Sequence, residues 1–412
     1  MTETPPTAAA LGLMDGYPAP PDKRVTRENL MQPPYNRWGF QHMRELMPTA
    51  EVYRGPGPVR ELPRRPLDLS DLQFVAADGS QRTVKEMLDL SYADAFVVLH
   101  NGALVYEQYP NGMGPASQHL MMSVTKSLVG TLALQLAHEG TIDPSRMVAD
   151  YLPELTGSAW EDASVQNALD MTTGIRFDEV YDFADGALGD LARFAIATGF
   201  SAMPEGYDGP RTVPELLPQF PKAGNHGEAF HYVTPNTDVI GWIIARVTGQ
   251  PFSRIFGERI WSRLGAERDA YMIRDAIGMQ MAGAGFNATA RDLARFGQLL
   301  LDDGVCDGQQ LIAPEVIAVV RDGGDREAFA RGTEEYGPLW QGWSYRAFWW
   351  VTHNSHGAFT GIGINGQWLY IDPTARVVIV QQSSYPTSDQ PEADDVCLPG
   401  FHAIAQHLMD RQ

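Results

Sequence analysis

Met121-Met122-Ser123-Val124-Thr125-Lys126-Ser127-Leu128-Val129-Gly130 decides how this chain is read. From Ser123 the apolar residues continue at helical spacing to about His138, and Gly140 supplies the stop. Ser123 therefore opens a helix, where unpaired N–H groups and the helix dipole favour a developing negative charge. Lys126 lies three residues on, on the same helix face, within reach of the Ser123 hydroxyl. The choice of Lys is informative. Of 31 basic residues only Lys23, Lys85, Lys126 and Lys222 are Lys, so the chain uses Arg almost wherever it wants positive charge. Arg keeps its proton near neutral pH, whereas a desolvated Lys can release it. An uncharged amine beside a hydroxyl makes an activated nucleophile. Ser-x-x-Lys alone recurs by chance, and its weight here comes from the apolar flanks and the scarcity of Lys.

Upstream, Ala93–His100 and Ala103–Tyr109 are two apolar runs separated by Asn101-Gly102, a strong hairpin signal. Near the C-terminus, residues 366–372 and 376–382 read as strands joined by the Asp372-Pro373 turn, and residues 400–411 as a closing helix. Between them, Val239–Val247 is helical, and Thr289–Asp302 has the amphipathic pattern of a surface helix. Strands thus cluster at both ends and helices fill the middle. The expected fold is α/β of the α+β type: an antiparallel sheet built from both termini, flanked by helices, with a mostly helical insertion. The expected boundaries are an extended Pro-rich arm over 1–36, an α/β domain over 37–150 and 286–412, and the helical domain over 151–285.

Two further stretches carry chemistry. In Phe230-His231-Tyr232-Val233-Thr234-Pro235-Asn236, Tyr232 is a candidate proton relay, provided a positive neighbour such as Lys126 lowers its pKa; otherwise it is an ordinary core aromatic. In Gly361-Ile362-Gly363-Ile364-Asn365-Gly366, the G-x-G-x-x-G match is not a dinucleotide fingerprint, because a strand-like segment follows instead of a helix. A glycine-rich strand lets a substrate lie against bare backbone, and one of its N–H groups can join that of Ser123 in holding an oxyanion. His353 and His356 have no carboxylate or cysteine pattern to complete a metal site, and no metal or cofactor is expected. Trp349-Trp350 suits a pocket wall and a core equally.

The chain has 412 residues, 44% of them hydrophobic, which is enough for a sizeable core. A formal net charge of −20 disfavours nucleic acid and anionic membranes as partners. Cys306 and Cys397 read as reduced thiols. Residues 1–24 lack a basic-flanked apolar leader, and no stretch has the length of a membrane span, so the expected location is the cytoplasm.

Taken together, the Ser123/Lys126 pair, Tyr232 and the Gly-rich strand follow the order of motifs in the serine β-lactamase/penicillin-binding superfamily. The chain most resembles its 6-aminohexanoate-dimer hydrolases (nylon-oligomer hydrolases) and related carboxylesterases. The similar stretches are Pro33–Phe40, Leu120–Leu128, Phe230–Asp238, Thr289–Arg295 and Gly361–Gln367. The resemblance implies that Ser123 is acylated, that Lys126 and Tyr232 move protons, and that the N–H groups of Ser123 and Ile364 form the oxyanion hole. It also puts Glu179, Tyr181 and Trp350 on the substrate side, Tyr181 closing over the bound amide and Trp350 walling the cleft, and it implies a small-molecule ester or amide substrate and a homodimer. There are departures. Gly283 stands where an Asn contacts substrate. The acidic residue that recognises an amino end has no match, Ala192 falling near it, with Asp185 or Asp190 as substitutes. Gly361-Ile362-Gly363 replaces the third-motif Lys that binds a lactam carboxylate. The expected function is hydrolysis of small esters or linear amides; the rivals are a β-lactamase or peptidase and a catalytically silent binding protein on the same fold.

Overall fold

The Asn101-Gly102 turn forms as predicted, with φ of 49° and 75°, and joins Ala93–His100 (β1) to Ala103–Gln108 (β2). Two successive positive φ values match the right-handed twist of paired strands. These observations come from a computed structural model, which describes residues 4–180 and 188–411. Five strands from the C-terminal part complete the sheet: Ser344–Arg346 (β3), Trp349–Val351 (β4), Phe359–Gly363 (β5), Gln367–Asp372 (β6) and Val377–Ser383 (β7). The order is β3-β4-β5-β6-β7-β1-β2, antiparallel throughout. Both ends of the chain thus build one sheet, the N-terminal hairpin joining beside β7 through pairs such as Val380↔Val97.

β1 and β7 are buried along almost their whole length because helices cover both faces. Successive residues of β6 point to opposite faces. Trp368 and Tyr370 meet Phe401 of Pro391–Met409 (α4), whereas Leu369 and Val378 sit where a Cβ on Gly297 of Ala290–Leu301 (α3) would touch them. Val124–His138 (α1) shares the α3 face, since a Cβ on Gly361 would lie 2.8 Å from Ser127 Oγ. The middle of the chain supplies Pro235–Thr248 (α2), shorter helices such as Val165–Leu169, and strand Ala270–Ile273 of a second, four-stranded sheet.

Three details differ from the pattern in the sequence. α3 is not a surface helix: its polar residues Asp292, Arg295 and Gln298 are buried too. Arg295 bonds Asp292 at 2.9 Å, Glu267 at 2.7 Å and the Arg60 carbonyl at 2.9 Å, so the polar face meets an internal ion network instead of water. α4 begins at Pro391, ahead of the expected start at residue 400, and runs through Pro399 although Pro lacks the helical N–H. Finally, residues 4–35 run largely as consecutive turns, and Leu13, Val25 and Leu30 are buried. The next turn places Arg37 inside, 2.7 Å from Asp94, which also meets His119 at 3.0 Å.

Candidate active site

α1 starts at a strained turn. Met122 has φ of 46°, in the left-handed region that a non-glycine residue rarely adopts, and Ser123 follows as the N-cap. The turn holds Ser123 at the floor of a cleft of about 350 Å³. One helical turn on, Lys126 has no exposed surface. Its Nζ donates to Ser123 Oγ at 2.8 Å and to the Gly283 carbonyl at 2.7 Å. Burial brings the Lys126 pKa down to about 8, although Glu179 and Asp238 act to raise it. Asp238 is itself buried beside Lys126, and its carboxyl is pushed up to about 7 by desolvation.

Tyr232 completes the trio. Its hydroxyl lies beside those of Ser123 and Tyr345, and its ring faces Lys126 Nζ at 5.0 Å and stacks on Trp350 at 5.8 Å. The direction of its pKa corrects the expectation from sequence. Desolvation and then the Glu179 charge push the phenol up, and the neighbouring Ser123 hydroxyl only partly opposes them. Tyr232 therefore keeps its proton at neutral pH.

The glycine-rich strand approaches the nucleophile closely. A Cβ on Gly363 would lie 2.7 Å from the Met121 carbonyl oxygen and 3.0 Å from the Ser123 nitrogen. Only glycine lets the end of β5 run this near, which brings Ile364 to the same cleft as Ser123. Asn365 and Gly366, with φ of 58° and 91°, turn the chain into β6, as expected once the dinucleotide reading is set aside.

Ser123, Tyr232, Ile364, Gly363, Glu179 and Trp350 meet in one cleft, with Lys126 beneath it. Glu179 accepts from the Thr234 N–H at 3.2 Å and from the Thr234 hydroxyl. Gly283 does not line the cleft. It lies behind Lys126, and a Cβ there would meet Thr234 Cγ2 at 2.6 Å, so this backbone leaves no room for a side chain. Tyr181 and Asp185 lie outside the described residues. Asp190 does not line the cleft; it opens a short helix, 3.8 Å from Arg193. The sequence reading missed Tyr345 and the far wall of Tyr336, Trp340, Asp389 and Asp394. The aromatic density of residues 336–350 was the available signal, but it fits a core just as well.

A family model described as Beta-lactamase matches residues 81–396. The chain is 37% identical over 373 residues to a 6-aminohexanoate-dimer hydrolase of Paenarthrobacter ureafaciens, covering 90% of this chain and 91% of that one. A solved structure from Bacillus anthracis, provisionally named a 6-aminohexanoate-dimer hydrolase, superimposes with a TM-score of 0.87 at 33% identity, covering 95% of this chain and 99% of the other. A penicillin-binding protein homologue from Caulobacter crescentus shares the fold, with a TM-score of 0.55 at 19% identity over 78% of this chain and 96% of the other.

Proposed function

The chain belongs to the beta-lactamase family and is a serine hydrolase acting on amide or ester bonds, and from that premise we propose that Ser123 carries the acyl group while Lys126 and Tyr232 move its proton. The observation that carries this reading is the contact between a fully buried amine and the Ser123 hydroxyl at 2.8 Å. With a pKa of about 8, about one in ten Lys126 side chains is uncharged at pH 7, against fewer than about one in a thousand for an ordinary lysine.

The neutral amine takes the hydroxyl proton as Ser123 Oγ bonds to the substrate carbonyl carbon. The oxyanion is held by the N–H groups of Ser123 and Ile364. As the tetrahedral species collapses, the Lys126 proton reaches the leaving oxygen or nitrogen through the Tyr232 hydroxyl, leaving an ester on Ser123. Water then adds to that ester, passes a proton back along the same route, and releases the acid and the free serine.

The substrate reading is a small ester or a linear amide. The cleft volume suits a small acyl group, and Trp350, Trp340 and Tyr336 supply an apolar wall. Among the described residues its acidic wall groups are Glu179, Asp389 and Asp394, the last pushed up to about 7 by desolvation, with no Lys or Arg. That lining repels a carboxylate, which argues against β-lactams as good substrates. A silent binding protein would have no need of the buried Lys126. Both cysteines are buried and free, as a reducing compartment would keep them, which supports a cytoplasmic location. A homodimer rests on the resemblance alone. The test is turnover of a p-nitrophenyl ester beside nitrocefin: ester hydrolysis should be the faster and should vanish in Ser123→Ala, and full activity in that variant contradicts the assignment.

A further inference from the structure

The two histidines at one loop part company in the fold. His353 Nε2 meets Ser344 Oγ at 2.7 Å, whereas His356 Nδ1 meets Asp372 Oδ2 at 2.7 Å. A carboxylate therefore does sit beside His356, contrary to the expectation from sequence spacing, and a third group arrives from α4. The His402 ring lies 4.7 Å from that of His356, centre to centre. One ligand atom from each of His356, Asp372 and His402 lies within 4.8 Å of the others. His356 and Asp372 are 6% and 0% exposed. The His402 ring is half-buried, but its Nδ1 is fully buried and has no hydrogen-bond partner. A buried imidazole nitrogen without a partner is costly, so its presence beside a His–Asp pair asks for a ligand.

We propose that His356, Asp372 and His402 bind a divalent cation of the zinc class, clasping α4 to the sheet. Two imidazole nitrogens and one carboxylate oxygen are a donor set suited to zinc, and three protein ligands leave a fourth position for water. Ligand atoms around a tetrahedral zinc stand about 3.4 Å apart, given bond lengths of about 2.0–2.2 Å. The ion takes the place of the proton between His356 Nδ1 and Asp372 Oδ2, which open from 2.7 Å, while rotation of the half-exposed His402 side chain brings in the third ligand and its exposed edge gives the ion a way in. The Ala375 N–H donates to Asp372 Oδ1 at 2.8 Å and fixes the carboxylate from behind. The site stands apart from Ser123. It lies at the Phe359↔Ile371 end of the β5–β6 pair, and the cleft lies at the Gly363↔Gln367 end, about 14 Å along the strands. The ion's role is structural, and hydrolysis does not depend on it.

The test uses the full chain, stripped with a chelator and desalted. Zinc chloride is titrated in by calorimetry, and the melting temperature is followed in parallel. One equivalent should bind and the melting temperature should rise with zinc concentration. His402→Ala should weaken binding at least about tenfold and abolish the rise while leaving ester hydrolysis unchanged, which shows that the variant is folded. His356→Ala should repeat the loss of binding. Absence of saturable binding to the wild type overturns the proposal. So does binding and stabilisation of equal strength in His402→Ala, because a merely structural His356–Asp372 pair needs neither the third ligand nor the ion.

Discussion

Lys126 Nζ stands between Ser123 Oγ at 2.8 Å and the Gly283 carbonyl at 2.7 Å, with no surface open to water. Two neutral acceptors hold the amine, and the nearest carboxylates act only at a distance. Desolvation therefore dominates and the pKa falls from 10.5 to about 8. Because the neutral amine is the working form, kcat/KM for a neutral ester should rise with pH along a limb centred near 8 and then level off. Glu179 is the larger of the two charges that raise this pKa, so Glu179→Gln should move the limb to lower pH. A pH–rate profile of both proteins checks the pair of statements; a limb in the ordinary carboxylate range, or one that Glu179→Gln moves upward, contradicts them.

Tyr232→Phe removes the hydroxyl beside Ser123 while keeping the ring against Trp350. The expected result is a fall in kcat of about 10²–10⁴-fold, the usual worth of a positioned proton donor, with an unchanged melting temperature. Stopped-flow measurement of acylation beside thermal melting separates this from misfolding.

Gly363→Ala tests the close approach of β5. The added Cβ would press on the Met121 carbonyl and the Ser123 nitrogen, both backbone atoms that cannot swing aside. Displacing the end of β5 by a few tenths of an ångström should spoil one oxyanion donor, with an expected loss of about 10²–10³-fold in kcat. Steady-state kinetics on the folded variant reads this directly, and wild-type kcat contradicts the placement of Ile364.

Stability is tested at Arg37, which is 4% exposed and bonded to Asp94 at 2.7 Å, with His119 on the other carboxylate oxygen. Arg37→Ala leaves a buried carboxylate without its cation and should cost about 3–5 kcal/mol of unfolding free energy. Denaturant titration measures it; a change near zero shows that the network is dispensable.

Local signals carried well from sequence to structure. Asn101-Gly102 fixes its own turn through backbone geometry, and Ser123 with Lys126 needs only helical spacing to meet. The strand after Gly366 likewise excludes a dinucleotide loop without any tertiary knowledge. What stayed hidden depends on partners distant in sequence. Arg295 and Asp292 read as a solvated helix face until Glu267 and the Arg60 carbonyl arrive from elsewhere to bury them. Gly283 was expected on the substrate side, yet its carbonyl is taken by Lys126 and it does not line the cleft. The Tyr232 phenol was expected to be lowered by Lys126, but desolvation and the Glu179 charge outweigh any such effect. His402 belongs with His356 and Asp372 only because α4 lies across the sheet.

The central claim is a covalent acyl group on one oxygen. Reaction with a fluorophosphonate, followed by intact-mass and peptide mass spectrometry, tests it most directly. One adduct per chain should map to Ser123, should form much more slowly in Lys126→Ala, and should be absent from Ser123→Ala; labelling that persists in Ser123→Ala, or that maps to another residue in the wild type, contradicts the account.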